Sequence, residues 1–301
     1  MGSDYASSLE GVSTEYPSAP RLSRAFYSCM VSRCYRLVGI APGGSKKFLE
    51  AYLDRFLVED MKRILRAKHA GAVVDRGSLI PIPTGYDHAD LQAMSAAPTL
   101  QDAVKSLEKT SYRRVADFMD LYQKHDIISV LEASLDRAYF DSVVRPSLDG
   151  APSSGVKEMV GMEMDLVSIK AMVDLRARGL ASDEVVSVSV TPVGLTVDEV
   201  ARISDASLES MPKNLSRTPY ADLGELLQNA IDPTNEESLD RVMRLEIQRR
   251  TRRFMFLYAL TLGYVLGYVR DAETEAQNLV SVVTGKELGL SDSKIEVALC
   301  V

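Results

Sequence analysis

The sequence has few of the residues from which disulfide frameworks and metal centres are built. Its 301 residues include three cysteines, three histidines and no tryptophan. The cysteines, Cys29, Cys34 and Cys300, are odd in number, and their spacing matches no zinc pattern. This content excludes a disulfide-stapled secreted domain and indicates a reducing compartment.

Sequence motifs of catalysis and cofactor binding are also lacking. His69, His88 and His125 are far apart, and none has a His or Cys partner at helical ligand spacing, so we expect no metal site. The stretch 39–46 resembles a phosphate loop, but its Ser and Lys stand in the wrong order, which favours an ordinary Gly-rich turn. There is no G-x-S-x-G motif and no dinucleotide fingerprint. We expect no catalytic site, no cofactor and no small-molecule substrate.

Basic residues are fewer than acidic ones, and no apolar run is long enough to span a membrane. The net charge is −7. Nucleic-acid binding requires a surplus of Lys and Arg, so this balance argues against it. No secretory leader is visible. The run Phe254–Val269 has sixteen residues, whereas about 20 are needed to cross a bilayer. We favour a buried helix there over a membrane span.

The most informative feature that is present is an internal repeat. Three segments align when Asp60, Ser168 and Asn278 are placed in register, with offsets of 108 and 110 residues. Apolar residues recur one, four and five positions after these residues, a Lys or Arg recurs eight positions after, and a Gly recurs eleven positions after. The members, in chain order, are Met61, Ile64, Leu65, Lys68 and Gly71; Ile169, Met172, Val173, Arg176 and Gly179; and Leu279, Val282, Val283, Lys286 and Gly289.

This spacing predicts a helix in each repeat. The three apolar positions and the cation fall on one face at 3.6 residues per turn, so that face should be buried. A cation in the last turn meets the negative end of the helix dipole, and a left-handed Gly ends the helix. Lys68, Arg176 and Lys286 are therefore candidate partner contacts or clasps between repeats; simple helix-end cations are the alternative.

A second recurring element is a Thr-x-Tyr sequence. Tyr112 and Tyr220, in Thr110-Ser111-Tyr112 and Thr218-Pro219-Tyr220, each lie 52 residues after the aligned helix position. Pro/Gly-punctuated connectors precede both, at 79–85 and 190–194. The third helix has no such sequence after it, but Thr14-Glu15-Tyr16 stands at the start of the chain. This count predicts a closed, pseudo-threefold arrangement in which the chain ends meet.

The repeat divides the chain into a tail and three units. The tail, 1–20, would complete the pseudo-threefold arrangement, and the repeat units are 21–125, 126–235 and 236–301. We predict an all-α fold, with 185–190 as a loop rather than a strand and a helix break near Gly263 or Gly267. The predicted helices are Leu22–Leu37, Ser45–Lys68, Thr99–Leu107, Tyr112–Lys124, Ile127–Val144, Val156–Ala177, Thr196–Ile203, Leu223–Ile231, Glu236–Val269 and Ala272–Leu288.

Two groups of charged residues have alternative interpretations. The cluster Arg249, Arg250, Arg252 and Arg253 fits contact with an acidic partner or anionic lipid, but also a solvated face with partners such as Glu246. Paired carboxylates precede two of the aligned helix positions and could serve acid–base chemistry, although we favour first-turn partners of the helix dipole. These pairs are Glu163 with Asp165 and Glu273 with Glu275.

The three copies in phase resemble the C subunit of the archaeal-type rotary ATP synthase, the counterpart of the d subunit in eukaryotic V-type ATPases. The most telling stretches are EDMKRILRAK at 59–68, MDLVSIKAMV at 164–173, LEASLDRAYF at 131–140 and GYVRDAETEAQNL at 267–279. The sequence departs from the family pattern at Asp174, Ala272 and Val280. Only about a dozen residues precede Thr14, so relative to the family we expect a truncated, misassigned or divergent start.

The resemblance implies a fold and a function together. It implies three helical units around a pseudo-threefold axis that form a funnel, seated on the cytoplasmic face of the membrane proteolipid ring as a peripheral subunit in one copy per complex. The funnel would receive the central-stalk subunits and couple ATP hydrolysis or synthesis to proton or sodium transport, without catalysis or nucleic-acid binding. A free helical scaffold that binds a protein or peptide is the alternative.

Overall fold

The chain is helical throughout the part that the structure describes. The structure is a computed structural model, and it describes residues 5, 9, 18–74, 76–83, 85, 89–148, 154–231, 239–257, 262–292, 294, 295 and 299. Every regular element within these ranges is a helix, which confirms the all-α prediction. Thr14-Glu15-Tyr16, His88 and Cys300 lie outside the described residues.

The helix bounds follow the predicted spans in outline. Shorter turns of 3₁₀ helix occupy Arg76–Ser78 and Arg113–Phe118, and a π-helical turn occupies Tyr139–Val144. The α-helices are α1 Ala19–Ile40, α2 Gly43–Leu53, α3 Arg55–His69, α4 Leu91–Ala96, α5 Leu100–Lys105, α6 Met119–His125, α7 Ser129–Ala138, α8 Arg145–Ser147, α9 Ser154–Ala177, α10 Ser182–Val188, α11 Val197–Ser204, α12 Met211–Leu215, α13 Leu223–Ile231, α14 Leu239–Leu257 and α15 Leu262–Glu287.

Two predicted boundaries are wrong. The predicted helix from 45 to 68 is interrupted at Asp54, whose carboxylate accepts a hydrogen bond from the Tyr112 hydroxyl at 3.3 Å. Conversely, α15 runs without a break through Gly267 and the predicted gap at 270–271, whereas 258–261, next to the alternative break position at Gly263, lies outside the described residues. Both glycines are buried in this helix. Tertiary packing of the helix therefore offsets the low helix propensity of glycine.

The prediction of a loop at 185–190 is also wrong, because helix α10 covers 182–188. Val185 and Val188 are fully buried and lie three residues apart on one helix face, whereas Val186 is exposed. The Glu184 carboxylate accepts the Ala181 N–H at 2.9 Å and so caps the first turn. The alternation of Val and Ser in the sequence obscured this short helical period.

The three aligned helices, α3, α9 and α15, form the core of the fold. The predicted apolar face is fully buried in α3 and α9, whereas in α15 its residues are half-buried. The most extensive helix pairing in the described part of the chain is that of α1 with α15, and α14 packs on both α9 and α15. The third copy of the pattern, α15, thus packs against α1 near the start of the given sequence as well as against α14, which precedes it.

The predicted glycine ends are confirmed in all three core helices. Gly71, Gly179 and Gly289 have φ values of 65°, 88° and 69°. In each case the N–H of the residue after the Gly bonds back to the carbonyl five residues earlier, at 2.8, 3.2 and 2.9 Å. These bonds form a Schellman motif, which a left-handed residue permits and which satisfies the last carbonyls of the helix. The repeat therefore encodes the same helix end three times.

The two described Thr-x-Tyr sequences adopt the same local structure. The hydroxyls of Thr110 and Thr218 donate to the carbonyl three residues before, at 2.7 and 2.8 Å. Each hydroxyl also accepts the N–H of its Tyr, at 3.1 Å in both copies. Both Tyr rings are buried. The Tyr112 hydroxyl donates to Asp54, just before α3, and the Tyr220 hydroxyl donates to Asp165 in the middle of α9.

Tyr5 lies beside the third core helix, in an apolar cluster with Leu279 and Val283. It is buried, and its ring meets Phe26 edge-on at 5.6 Å between centroids. Burial and the nearby carboxylate of Glu275 raise the pKa of Tyr5. Glu275 stands three residues before Asn278, just as Asp165, the partner of Tyr220, stands three residues before Ser168.

Candidate functional site: a polar cavity between the core helices

The polar faces of the three core helices line a cavity of about 290 Å³. The apolar face of each helix points away from it, so each helix separates the cavity from a packed hydrophobic layer. The lining positions recur in the register of the repeat. Five positions before the aligned residue they are Arg55, Glu163 and Glu273; one position before, Glu59, Val167 and Gln277; and two positions after, Lys62 and Lys170.

A buried ionic cluster joins the three helices at one end of this cavity. Arg55 on α3 lies 2.8 Å from Glu163 on α9 and 3.2 Å from Glu273 on α15. Arg270 on α15 pairs with Glu163 and, at 2.9 Å, with Glu273. Three positions that the repeat makes equivalent therefore meet in one cluster, and two arginines face two glutamates within it.

Aromatic residues complete the surroundings of Glu163. The Tyr52 hydroxyl donates to its carboxylate at 2.9 Å, and the Tyr139 hydroxyl donates to the Tyr52 carbonyl at 2.7 Å. The Arg55 guanidinium also lies over the Tyr52 ring, 4.7 Å from its centroid. Burial opposes the ionisation of Glu163, but Arg270 and Arg55 outweigh it and hold the pKa of Glu163 below its usual range. Glu163 is thus a buried, ionised and fully paired carboxylate.

The paired carboxylates lie mid-helix, so the prediction of first-turn dipole partners is wrong. Helix α9 begins at 154 and α15 at 262, several turns before these residues. Glu163 and Glu273 belong to the ionic cluster. Asp165 instead accepts three hydrogen bonds, from the N–H groups of Val193 and Gly194 at 2.6 and 2.8 Å and from the Tyr220 hydroxyl at 2.6 Å. No acid–base pair results, since each of these three carboxylates is engaged structurally.

Buried aspartates also fix the connectors of the first two units. Asp60, fully buried in α3, accepts the N–H of Ile80 at 2.8 Å, as Asp165 does for the second connector. Its other oxygen accepts from Arg63 at 3.0 Å. Burial raises the pKa of Asp60 to about 7, against the lowering effect of Arg63. The punctuated connectors are therefore anchored to the core helices by side-chain acceptors.

The rest of the cavity lining is rich in cations. Lys62 lies 2.6 Å from Asp136 and 3.3 Å from Glu59. Although burial opposes ionisation of Glu59, the cations Lys62, Arg63, Arg66 and Lys170 hold its pKa at about 2. Among the described residues, six cationic and four anionic side chains line the cavity, and Arg66 pairs in addition with Glu132, which is not one of the lining residues.

The predicted contact cations of the repeat do not line this cavity. Lys68 and Arg176 are half-buried and Lys286 is exposed, at the ends of α3, α9 and α15. Each contacts a carbonyl or carboxylate oxygen, in the manner of a helix-end cation. Their partners, in chain order, are the carbonyl of Ala97, the carbonyl of Leu180 at 2.6 Å and the carboxylate of Asp292.

Two members of the arginine cluster are bound to acidic residues. Arg249 lies 2.7 Å from Glu246 and 2.6 Å from Asp222, and Arg250 pairs with the same two carboxylates. Arg250 also lies over the Tyr220 ring, 5.0 Å from its centroid. These arginines tie α14 to the residues just before α13, and Glu246, the partner named in the solvated-face alternative, is itself buried.

The other two arginines of the cluster are exposed on α14. Arg252 lies 3.1 Å from Asp271. Arg253 has no ionic partner among the described residues and faces a separate pocket beside Tyr220 and Gly194. A role for Arg252 and Arg253 in partner contact stays a prediction. Arg253 has the more available charge, because Arg252 is already paired with Asp271.

Other predicted features have ordinary structural surroundings. His69 lies 2.8 Å from the Tyr122 hydroxyl, and His125 lies 3.1 Å from Glu184. Within the described ranges no group of three His, Cys, Asp or Glu side chains could hold a metal ion. Of the apolar run at 254–269, 258–261 is not described, and Leu262, Leu266 and Val269 are buried. Among the helices that are described, none has the length and apolar character needed to cross a bilayer.

Comparison with known proteins gives a consistent result. A sequence model described as "ATP synthase (C/AC39) subunit" matches residues 1–297. The A-type ATP synthase C subunit of Methanothermobacter thermautotrophicus is 24% identical over 277 residues, which cover 88% of this chain and 71% of that protein. The C subunit of Methanobrevibacter smithii is 25% identical over 97% of this chain and 76% of its own length. That of Archaeoglobus fulgidus is 22% identical, with 97% and 83% covered.

Proposed function

The chain belongs to the ATP synthase (C/AC39) subunit family, and from this membership we propose that it is the connector subunit of a V/A-type rotary ATPase. In this role it is seated on the membrane proteolipid ring and receives the lower end of the central stalk. It couples ATP hydrolysis or synthesis in the head to proton or sodium transport in the ring. It is peripheral at the cytoplasmic face, present in one copy per complex, and catalyses nothing itself.

The observation that carries the proposal is the meeting of Arg55, Glu163 and Glu273 at one point. Equivalent positions of a threefold repeat come together only near the axis that relates the repeats. Their contact therefore supports three units, 21–125, 126–235 and 236–301, around a shared axis. The cavity beside them is lined in the same register, as expected for the inside of a funnel.

Closure of the arrangement is supported by the two ends of the chain. Tyr5 and Leu9 pack in one apolar cluster with Leu279 and Val283 of α15, and α1 lies along the same helix. The tail 1–20 then completes the third unit, which lacks a C-terminal counterpart of the Thr-x-Tyr sequence. An open stack of repeats would leave these ends apart.

A coupling role requires a body that transmits torque with little internal movement. Packed protein interiors compress little and pass strain between elements. The ionic cluster adds a direct link between the three core helices, so that a lateral force on one unit is carried by the others. No catalytic group is needed for this function, and each carboxylate of the cluster is occupied by an arginine.

Affinity purification of the tagged full-length chain from membranes of its own organism tests the proposal. We expect stalk and proteolipid-ring subunits to copurify, with one copy of the tagged chain per complex by quantitative mass spectrometry. As a matched comparison, Arg253→Glu should weaken copurification if this exposed cation contacts a partner, whereas Arg249→Gln, whose charge is paired internally, should weaken it less. A chain that purifies alone as a monomer would support the free-scaffold alternative instead.

A further inference from the structure

Exposed valines border the groove between the short helices α10 and α11. The two helices pack together, and the Ser182 hydroxyl donates to the Ser204 hydroxyl at 2.8 Å between them. Val186 lies four residues after Ser182, and Val197 lies seven residues before Ser204, so each valine is on the side of its helix that borders the other helix. Val186 is 40% exposed and Val197 is 84% exposed. The groove therefore has apolar walls that face solvent.

The exposed residues of α11 form one stripe that combines apolar and acidic side chains. The stripe spans about 100° around the helix axis. Its members are Val197, Asp198, Ala201 and Asp205. Neither carboxylate of the stripe has a hydrogen-bond or ion-pair partner among the described residues. The one cation of α11, Arg202, lies beside Glu199, outside the stripe. The apolar wall of the groove is thus edged by unpaired negative charge.

Helix stability does not account for this stripe. A carboxylate at Asp198 favours the first turn of α11, but Asp205 follows the last turn, where the helix dipole disfavours a negative charge. Single exposed apolar residues are normal, but here two of them border the same groove. The opposite sides of both helices are anchored in the core through Val185, Val188 and Ile203. The groove is therefore a formed surface whose exposed side chains are available to a partner.

We propose that this groove binds a basic amphipathic helix of another protein. Such a helix would lay apolar residues spaced three and four apart over Val186, Val197 and Ala201, and would place Lys or Arg beside Asp198 and Asp205.

The acidic edge selects this occupant against the others. It repels nucleic acid and anionic lipid, and in a symmetric contact between two copies of this chain the same carboxylates would meet each other. Among the described residues, no member of α10 or α11 lines the central cavity. The inference therefore does not depend on the connector function.

Fluorescence anisotropy tests the inference with the full-length chain and a labelled peptide of about 14 residues, whose Leu and Lys residues lie on opposite faces of a four-turn helix. We expect saturable 1:1 binding that weakens as sodium chloride is added. The variant Val186→Ser/Val197→Ser should raise Kd about tenfold, because apolar contacts are lost. The variant Asp198→Asn/Asp205→Asn should raise Kd about threefold at low salt and reduce the salt dependence. All four positions are exposed, so both variants should fold.

Matched variants remove the same kinds of group from exposed positions elsewhere. Ile40→Ser/Val73→Ser and Asp117→Asn/Asp120→Asn should bind the peptide as the unmodified chain does. A second peptide, with Glu in place of every Lys, should not bind.

Three results would each overturn the inference: no saturable binding to the unmodified chain, equal affinity for the acidic peptide, or equal losses in the groove variants and their matched controls. Self-association of the unmodified chain that the groove variants abolish would identify a second copy as the occupant, and would also reject the inference.

Discussion

Three buried carboxylates of the core helices bind different kinds of partner and thereby hold neighbouring segments in place. Glu163, Asp165 and Asp60 are all buried in core helices, but the first is held by arginines and the other two by backbone N–H groups. The arginines lower the pKa of Glu163, whereas burial raises that of Asp60 to about 7 and also raises that of Asp165. The pKa values of similar side chains are therefore shifted in opposite directions, and their contributions to stability change with pH in opposite directions.

Asp60 should make the stability of the protein decrease as the pH rises. Its pKa is about 7 in the folded chain, against an ordinary value of 3.8, so between these limits the folded state holds a proton that the unfolded state has lost. The stabilisation is complete below about pH 4 and is lost as the pH rises through 7, with a slope of at most about 1.4 kcal/mol per pH unit. Urea unfolding of the unmodified chain and of Asp60→Asn between about pH 4.5 and 8 measures this slope.

The Asp60→Asn variant should show a flatter pH dependence than the unmodified chain, although it loses one hydrogen bond. Asp198→Asn, at an exposed position in the first turn of α11, serves as the control and should leave the slope unchanged. Identical slopes for Asp60→Asn and the unmodified chain would show that Asp60 does not titrate in this range.

The helix-end cations should differ in their contributions to stability. Arg176 is half-buried and donates to the carbonyl of buried Leu180 at 2.6 Å, whereas Lys286 is exposed and meets exposed Asp292. We expect Arg176→Met to lower the free energy of unfolding by about 1–2 kcal/mol and Lys286→Met by no more than about 0.5 kcal/mol. Equal losses in chemical denaturation would contradict this ranking.

Residue roles were the part of the site that the sequence could least reveal. The spacing of Glu163 and Asp165 gives no indication that one faces the cavity and the other a connector, because their partners Arg55, Arg270 and Val193 are distant in sequence. The register of the repeat did contain one signal from which the ionic cluster could have been predicted. Arg55, Glu163 and Glu273 are equivalent by counting, and opposite charges at equivalent positions indicate that the positions meet.

At the scale of helices, the repeat predicted the core well and the connections poorly. The faces and glycine ends of α3 and α9 follow directly from periodicity, since local spacing determines them. The break at Asp54 and the continuity of α15 depend on Tyr112 and on neighbouring helices, which lie far away in sequence. Tertiary contacts therefore overrode local propensity where the predictions failed.

Close packing of α13 on α12 should make Gly224 intolerant of a side chain. A Cβ at this position would lie 2.8 Å from the backbone carbonyl oxygen of Pro212, which cannot swing away. We expect Gly224→Ala to lower the free energy of unfolding by about 1–3 kcal/mol. Gly39→Ala in α1, where a Cβ meets nothing within 4 Å, should be neutral or stabilise by up to about 1 kcal/mol. Paired urea denaturation curves measure both; similar destabilisation by the two substitutions would exclude the steric explanation.

At the scale of the whole molecule, the ionic cluster should couple the three units. Glu163→Leu leaves Arg55 and Arg270 buried with one remaining glutamate, and we expect it to cost about 3–5 kcal/mol. Adding Arg55→Met should recover part of this loss, because one uncompensated buried charge is removed. A double-mutant cycle by chemical denaturation measures the coupling energy.

Additive losses in that cycle would mean that Arg55 and Glu163 stabilise their units independently. The cycle Arg249→Met with Asp222→Ala, an exposed pair at 2.6 Å, provides the comparison and should give a coupling of less than about 1 kcal/mol. A large coupling in the buried cycle with a small one in the exposed cycle is the pattern that a central cluster requires.

The packing of Tyr5 and Leu9 against α15 has a consequence for how the protein is made. These residues leave the ribosome well before the helix that covers them, because Leu279 and Val283 come much later in the chain. The apolar side of α1 around Phe26 therefore remains uncovered until α15 has been synthesised. A nascent polypeptide stalled before position 262 would expose this apolar surface of α1 and should therefore bind a chaperone that holds unfolded chains.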